Sequence, residues 1–302
     1  MTYLKKKFVY WYRKYTPESI KKSIHNFKSK NIKRHLFFFK LKVRTTNYKK
    51  TGFEHAELNE LEKISEKISL NNYFYVDIGA SDGFSSSSTY GFAKSKDWTG
   101  LSFEVDELKF AKMSYIYKKF KNVNVKKELV TPTNVGKIFK DNNVPKSFGV
   151  LNIDIDSYDY FVLASIIDDG FRPSLISIEI NEKIPPPIQF TVLYDINHFY
   201  NADDFYGCSI SKVYNYLIKK DYFLYKLLYN NAIFIEVSHI SKFMPLNDLE
   251  GYKEGYVDQE NKYDLFKYNQ KYDHVIFDSA ENNIKFFKNL FKDYDGKYEM
   301  YE

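Results

Sequence analysis

Two aspartates spaced two apart, Asp154 and Asp156, stand at the end of an apolar run over residues 149–155, and Glu179 stands at the end of another over 174–180. If the two runs are neighbouring strands of one sheet, three carboxylates reach one crevice, because alternate residues of a strand share a face. Acids that close repel one another unless a proton or a cation lies between them. Hard oxygen ligands of this sort suit magnesium, manganese or another divalent ion. Such a centre can bind a hydroxyl, lower its pKa and align it for displacement. Two alternatives stand beside the metal: a carboxylate acting as a plain general base, and a set in which one aspartate binds a backbone turn or the amino group of a ligand while the others cap the helix beginning near Ser157.

A second group lies earlier in the chain. The run Val76-Asp77-Ile78 leads straight into Gly79-Ala80-Ser81-Asp82-Gly83. A strand ending in a glycine turn lets a ligand approach the backbone, and a helix following it aims its amino-terminal dipole and free N–H groups at a negative group such as a carboxylate. Glu104 lies 21 residues beyond Gly83 at the end of another apolar run, where an acid can accept two hydrogen bonds from a ribose diol. His198 falls in the long segment 181–207, with Pro185-Pro186-Pro187, Asp203, Asp204 and Tyr206. A loop there overhangs the crevice of an open sheet and serves as an acceptor lid, with His198 as general base, metal ligand or plain surface residue. Cys208 opens the next helix, a place where a thiol pKa can be lowered, although no neighbour argues for a nucleophile.

The elements that must position these residues alternate regularly. Residues 53–70 form an acidic amphipathic helix, 73–78 a strand, and a helix begins over 85–93. Strands follow at 101–104, 124–130, 149–155 and 174–180, with helices over 107–120, after Thr133, over 158–167 and over 209–219. Two last strands, 222–228 and 232–237, flank a turn containing Asn230-Asn231, whose residues tolerate the positive φ of a tight hairpin. Residues 240–302 read as turns with a final helix near 282–292. Five strands in βα units closed by a hairpin make an α/β, Rossmann-like sheet of seven strands, unlike ordinary dinucleotide-binding sheets, which lack the hairpin.

Residues 77–83 resemble the first motif of class I S-adenosylmethionine-dependent methyltransferases, particularly FkbM-like enzymes, in which Asn commonly stands where this chain has Ser81. The resemblance covers roughly residues 53–237 and extends to Ser102-Phe103-Glu104-Val105-Asp106, to the segment from Asn152 to Tyr160, and to Ile178-Glu179-Ile180-Asn181. It implies a seven-stranded sheet with S-adenosyl-L-methionine over the carboxyl ends of its strands, and an oxygen acceptor on a sugar or glycan precursor. In that frame Asp77, Gly79, Ala80, Ser81, Asp82 and Gly83 orient the methionine end and Glu104 holds the ribose. Glu128 and Leu129 approach the adenine, while Asp154, Asp156 and Glu179 prepare the acceptor with His198 assisting. The expected activity is O-methylation of a sugar hydroxyl on a nucleotide sugar or surface polysaccharide precursor.

Composition bounds the rest. With 302 residues, 44% hydrophobic and 28% charged, the chain can bury a real core and reads as a soluble globular protein. The 19% aromatic share accompanies abundant Lys, Asn and Ile and is a compositional bias. One cysteine excludes both a disulfide scaffold and a thiolate zinc site. The absence of an 18-residue apolar run and of a secretory signal leads to the expectation of a cytoplasmic protein. Charge is polarised: residues 1–50 carry a net +15 and the remainder −9. The expected domains are a basic, helical arm (1–51), a donor-binding domain (52–238) and a C-terminal extension (239–302). The arm either packs on the domain or contacts an anionic partner, a membrane surface or an acidic saccharide. Nucleic acid is disfavoured as a partner, because the segment after the fourth strand reads Asp-Ile-Asp-Ser and lacks the Pro-Pro-aromatic loop that holds a flipped base. A non-catalytic scaffold of the same fold is the remaining alternative; donor binding discriminates it.

Overall fold

The computed structural model describes residues 29–37, 39, 53–70, 72–85 and 87–302. Apart from helical residues 29–37 and 39, the expected basic arm lies outside the described residues. The order from there is α1 (Phe53–Lys67), β1 (Phe74–Ile78), α2 (Tyr90–Lys94), β2 (Thr99–Phe103), α3 (Glu107–Tyr117), β3 (Val123–Lys126), α4 (Val135–Asp141), β4 (Ser147–Ile153), α5 (Asp159–Asp168) and β5 (Arg172–Glu179). Next come β6 (Gln189–Val192), α6 (Ile210–Leu217), β7 (Tyr222–Leu228), β8 (Asn231–Glu236), α7 (Asp248–Tyr252) and, at the end, β9 (Tyr298–Tyr301).

Seven strands form one sheet in the order β3-β2-β1-β4-β5-β8-β7. β1 pairs in parallel with β2 on one side and β4 on the other, so the strand order reverses between β1 and β4 and opens a crevice at their carboxyl ends. β5 continues the parallel set, and β8 and β7 run antiparallel as the expected hairpin. The inner strands are mostly apolar because both faces are covered: β1 is buried at every position, and β4 and β5 nearly so. This is the α/β, seven-stranded, hairpin-closed sheet expected from the sequence. No helix among the described residues is long and apolar enough to cross a membrane.

Three local expectations are corrected. The helix expected over 85–93 is only α2, five residues beginning at Tyr90. Hydroxyls are the reason: Asp82 accepts from the backbone N–H groups of Phe84 and Ser85, while Ser88 and Thr89 donate to buried carboxylates, so these side chains compete with helical bonding. Secondly, β4 ends at Ile153, so Asp154 and Asp156 are not alternate residues of a strand. They lie in the turn before α5, in which Asp156 adopts a left-handed φ of 53°.

Thirdly, residues 240–302 are more than turns, and 181–207 is more than a lid. β9 pairs antiparallel with β6, inside that loop. Ile184, Ile188 and Phe190 of the loop pack with Phe287 and Phe291 of the helix Ala280–Leu290 and its end. Phe205 stacks on Tyr294 at a centroid distance of 4.0 Å. Tyr252 of α7 and the following Tyr256 enter the main core, and Leu246 bridges to Leu224 of β7. The C-terminal segment thus completes the wall of the domain and anchors both ends of the loop. The loop's middle stays exposed, with Ile196, Phe199 and Tyr200 its large apolar side chains there.

Candidate active site

A cavity of about 750 Å³ opens at the carboxyl ends of β1, β2, β4 and β5. Gly79, Ser81, Glu104, Glu128 and Leu129 line one side, and Asp154, Asp156, Glu179 and His198 the other. Among the described residues lining it are seven carboxylates, one lysine (Lys109) and no arginine. Such a lining attracts a cation and repels a diphosphate.

On the first side, Glu104 stands one residue beyond β2 and is buried. Its Oε1 accepts the Asp106 N–H at 2.7 Å, which holds the carboxylate at the cavity wall. Burial raises its pKa and that N–H opposes the rise. Gly79 has φ 94°, and a Cβ there would fall 1.7 Å from the Asp154 carbonyl oxygen. Its glycine is therefore dictated by the close approach of the β1 and β4 ends, as well as by the turn.

Several residues expected at the donor turn act from behind it. Asp77 does not line the cavity: it is fully buried and accepts from Thr89 Oγ1 at 2.6 Å and Asn152 Nδ2 at 2.9 Å. Burial pushes its pKa up to about 6 against those two donors. Ala80 packs in the core, Asp82 ties the turn to Phe84 and Ser85, and Gly83 lies against Met113 and Tyr117 of α3. The N–H groups of Gly79 and Ala80 both donate to the Phe103 carbonyl. Those amides do not point at a ligand, and α2 is too short and too late to supply the expected helix dipole.

On the second side, Asp154, Asp156 and Glu179 each bring a carboxylate oxygen within 4.8 Å of the others. Burial raises all three pKa values, most strongly at Asp154 and Glu179, and their mutual repulsion adds to it at both. Asn230, in the hairpin turn, donates to Glu179 Oε1 at 2.8 Å, yet Glu179 Oε2 and Asn230 Oδ1 are buried with no hydrogen-bond partner. Orphaned buried acceptors are costly. Together with the all-oxygen donor set they fit a divalent cation, which would satisfy several of them at once. The three acids do meet, as expected, but through a left-handed turn after β4.

His198 overhangs this cluster from the exposed middle of the loop. Its Nδ1 lies 2.5 Å from Ser157 Oγ, and burial lowers the imidazole pKa, favouring the neutral ring. Cys208 differs from the expectation: it is fully buried, Ser209 is the cap of α6, and burial drives the thiol pKa well up, so it stays protonated. The sequence reading missed Glu57, Lys109, Asn230 and the aromatic rim of Phe199 and Tyr200. For Glu57 a signal existed. It falls on the stripe Glu57-Leu61-Ile64, the buried face of α1 that Ile68 continues just past its end, where an acid is out of place unless it has work there.

No protein-family model matches the chain, and no curated protein is detectably similar to it. Among solved structures it is similar to an S-adenosylmethionine-dependent methyltransferase from Aquifex aeolicus at 13% identity, over 60% of this chain and 91% of that one, with a TM-score of 0.35. It is also similar to the N-terminal domain of EvdMO1, determined with S-adenosylhomocysteine and D-fucose, at 8% identity, over 63% and 84%, with a TM-score of 0.39. A ribosomal-RNA methylase from Streptococcus thermophilus aligns at 12% identity over 59% and 95%, with a TM-score of 0.35.

Proposed function

We propose that the cavity is the site of an S-adenosylmethionine-dependent O-methyltransferase whose acceptor is a sugar hydroxyl. The observation that carries this reading is the meeting, in one acid-lined cavity, of Glu104 at the end of β2 with the carboxylates after β4 and β5. S-adenosylmethionine would supply an electrophilic methyl on a positively charged sulfur. Glu104 would accept hydrogen bonds from its ribose, with Glu128 and Leu129 beside the adenine, and the acidic lining would favour its positive charge.

The acceptor hydroxyl is then oriented by Asp154, Asp156 and Glu179 for in-line attack. As the new C–O bond forms, the methyl–sulfur bond would break with its electron pair left on sulfur, S-adenosylhomocysteine would leave, and the hydroxyl proton would pass to a carboxylate of this cluster or to neutral His198. A divalent cation held by the three acids would supply Lewis acidity at the acceptor oxygen. The exposed rings of Phe199 and Tyr200 at the mouth suit the apolar face of a sugar. Because the lining repels diphosphate, a nucleotide sugar would enter sugar end first. The test is incubation with S-adenosylmethionine carrying a trace of tritium in its methyl group and a panel of nucleotide sugars and free glycosides, read by mass and by label. A gain of about 14 daltons on a sugar, one CH₂ in net composition, is expected. Label on no saccharide, with label on RNA instead, would overturn the acceptor assignment.

A further inference from the structure

Glu57 is 1% exposed, comes from a helix outside the βα units that bear the other site residues, and still lines the cavity. Two hydroxyls hold it: Ser88, from the loop after β1, donates to Oε2, and Ser177 of β5 donates to Oε1. Ser177 is two residues before Glu179, so both point to the same side of β5 and set Glu57 beside the acid cluster. Its negative charge is near enough to Asp154 to help raise that carboxyl. Glu57 does not belong to the trio whose oxygens lie within 4.8 Å of one another. Gly79 and Ser81 line the same cavity, and there the Gly79 and Ala80 amides turn away, toward Phe103. That end of the cavity offers carboxylates, and its first turn amides are already spent.

We infer that Glu57 is a donor-binding residue: its carboxylate, aimed by Ser88 and Ser177, receives the α-ammonium of the donor's amino-acid tail together with Asp154. The inference rests on the donor reading given above. An ammonium has three N–H groups, and two neighbouring carboxylates that line the cavity can take two of them. It also places a positive charge between two buried negative ones, which lowers their repulsion. Recognition of the tail is thereby assigned to its cationic group rather than to its carboxylate.

The test compares two probes on the full chain by titration calorimetry: S-adenosylhomocysteine, which has the amino-acid tail, and 5′-methylthioadenosine, which lacks it. Glu57→Gln is expected to weaken S-adenosylhomocysteine about ten- to a hundredfold, the loss of one charge-assisted hydrogen bond, and to leave 5′-methylthioadenosine unchanged. Equal weakening of both, or of neither, overturns the inference. Wild-type protein that binds both probes equally well overturns it while the donor reading survives, and wild-type protein that binds neither removes both. If Glu57→Gln does not fold, Ser177→Ala serves: a severalfold loss for S-adenosylhomocysteine alone is expected, and equal losses for both probes overturn the inference.

Discussion

Two sets of acids, in or just beyond β1, β4 and β5, behave differently. Asp77 and Asp159 are fully buried, and burial pushes each pKa up to about 6, but each has two donors of its own. Asp77 is held by Thr89 and Asn152; Asp159 accepts the backbone N–H groups of Ile155 and Ser157, both at 2.8 Å. Asp154, Asp156 and Glu179 are raised by the same burial, yet they face the cavity and one another, and Glu179 keeps an oxygen with no partner. Burial does not mark a working acid. A place on the cavity wall does, and Asp159 holds the turn that presents Asp154 and Asp156.

The contrast is sharpest in what each loss would do. Glu179→Gln should lower methyl transfer by roughly 10²–10⁴-fold, the scale of a lost acid–base or charge role, while leaving the melting temperature unchanged or higher, since a repulsive charge goes. A variant that keeps wild-type turnover breaks the comparison. Asp159→Ala should do the reverse to stability: two buried N–H groups lose their acceptor, at roughly 1–3 kcal/mol each, as read by denaturant unfolding. A smaller step is Glu104→Ala, expected to weaken S-adenosylhomocysteine by roughly 1–3 kcal/mol with little change in unfolding. Unchanged affinity would free Glu104 of the ribose role.

The same contrast shows what the sequence made legible. β1, β4 and β5 were readable because strands covered on both faces are continuous apolar runs, and the hairpin because Asn230-Asn231 interrupts two of them. The acid trio was readable from residue type and order, but the reason offered for it, strand alternation, fails at Asp156, whose left-handed φ no pattern announces. Ser85–Ser88 resembled a helix start because periodicity does not reveal that Ser88 and Thr89 have buried carboxylates to satisfy. The β6–β9 pair joins residues more than a hundred apart, and such pairing leaves no local trace. Asp77 looked like a ligand contact because its place in the motif is right; only its partners reveal that it supports the turn from behind.

Two smaller effects sharpen the comparison further. Millimolar magnesium or manganese should raise the melting temperature by about 2–4 °C at pH 8, a stabilisation of order 1 kcal/mol, and by less at pH 5, where protons compete for the same oxygens. The increment should vanish in Glu179→Gln and persist in Asp77→Asn; no increment at either pH would leave the trio as plain carboxylates. At Asp77 the proton itself is the relevant ligand. Its folded pKa of about 6 exceeds the ordinary 3.8, so the folded state binds the extra proton. That contribution to stability is complete below about pH 4 and is lost as pH rises through 6. Asp77→Asn should flatten this part of the melting profile, and an unaltered slope would contradict the assignment.

The central claim is that the cavity between Glu104 and the carboxylate trio receives a sulfonium nucleoside. Titration of the full chain with S-adenosylhomocysteine tests it most directly. One site per chain, weakened by Glu104→Ala, is the result expected; no binding by the folded wild-type protein would contradict it.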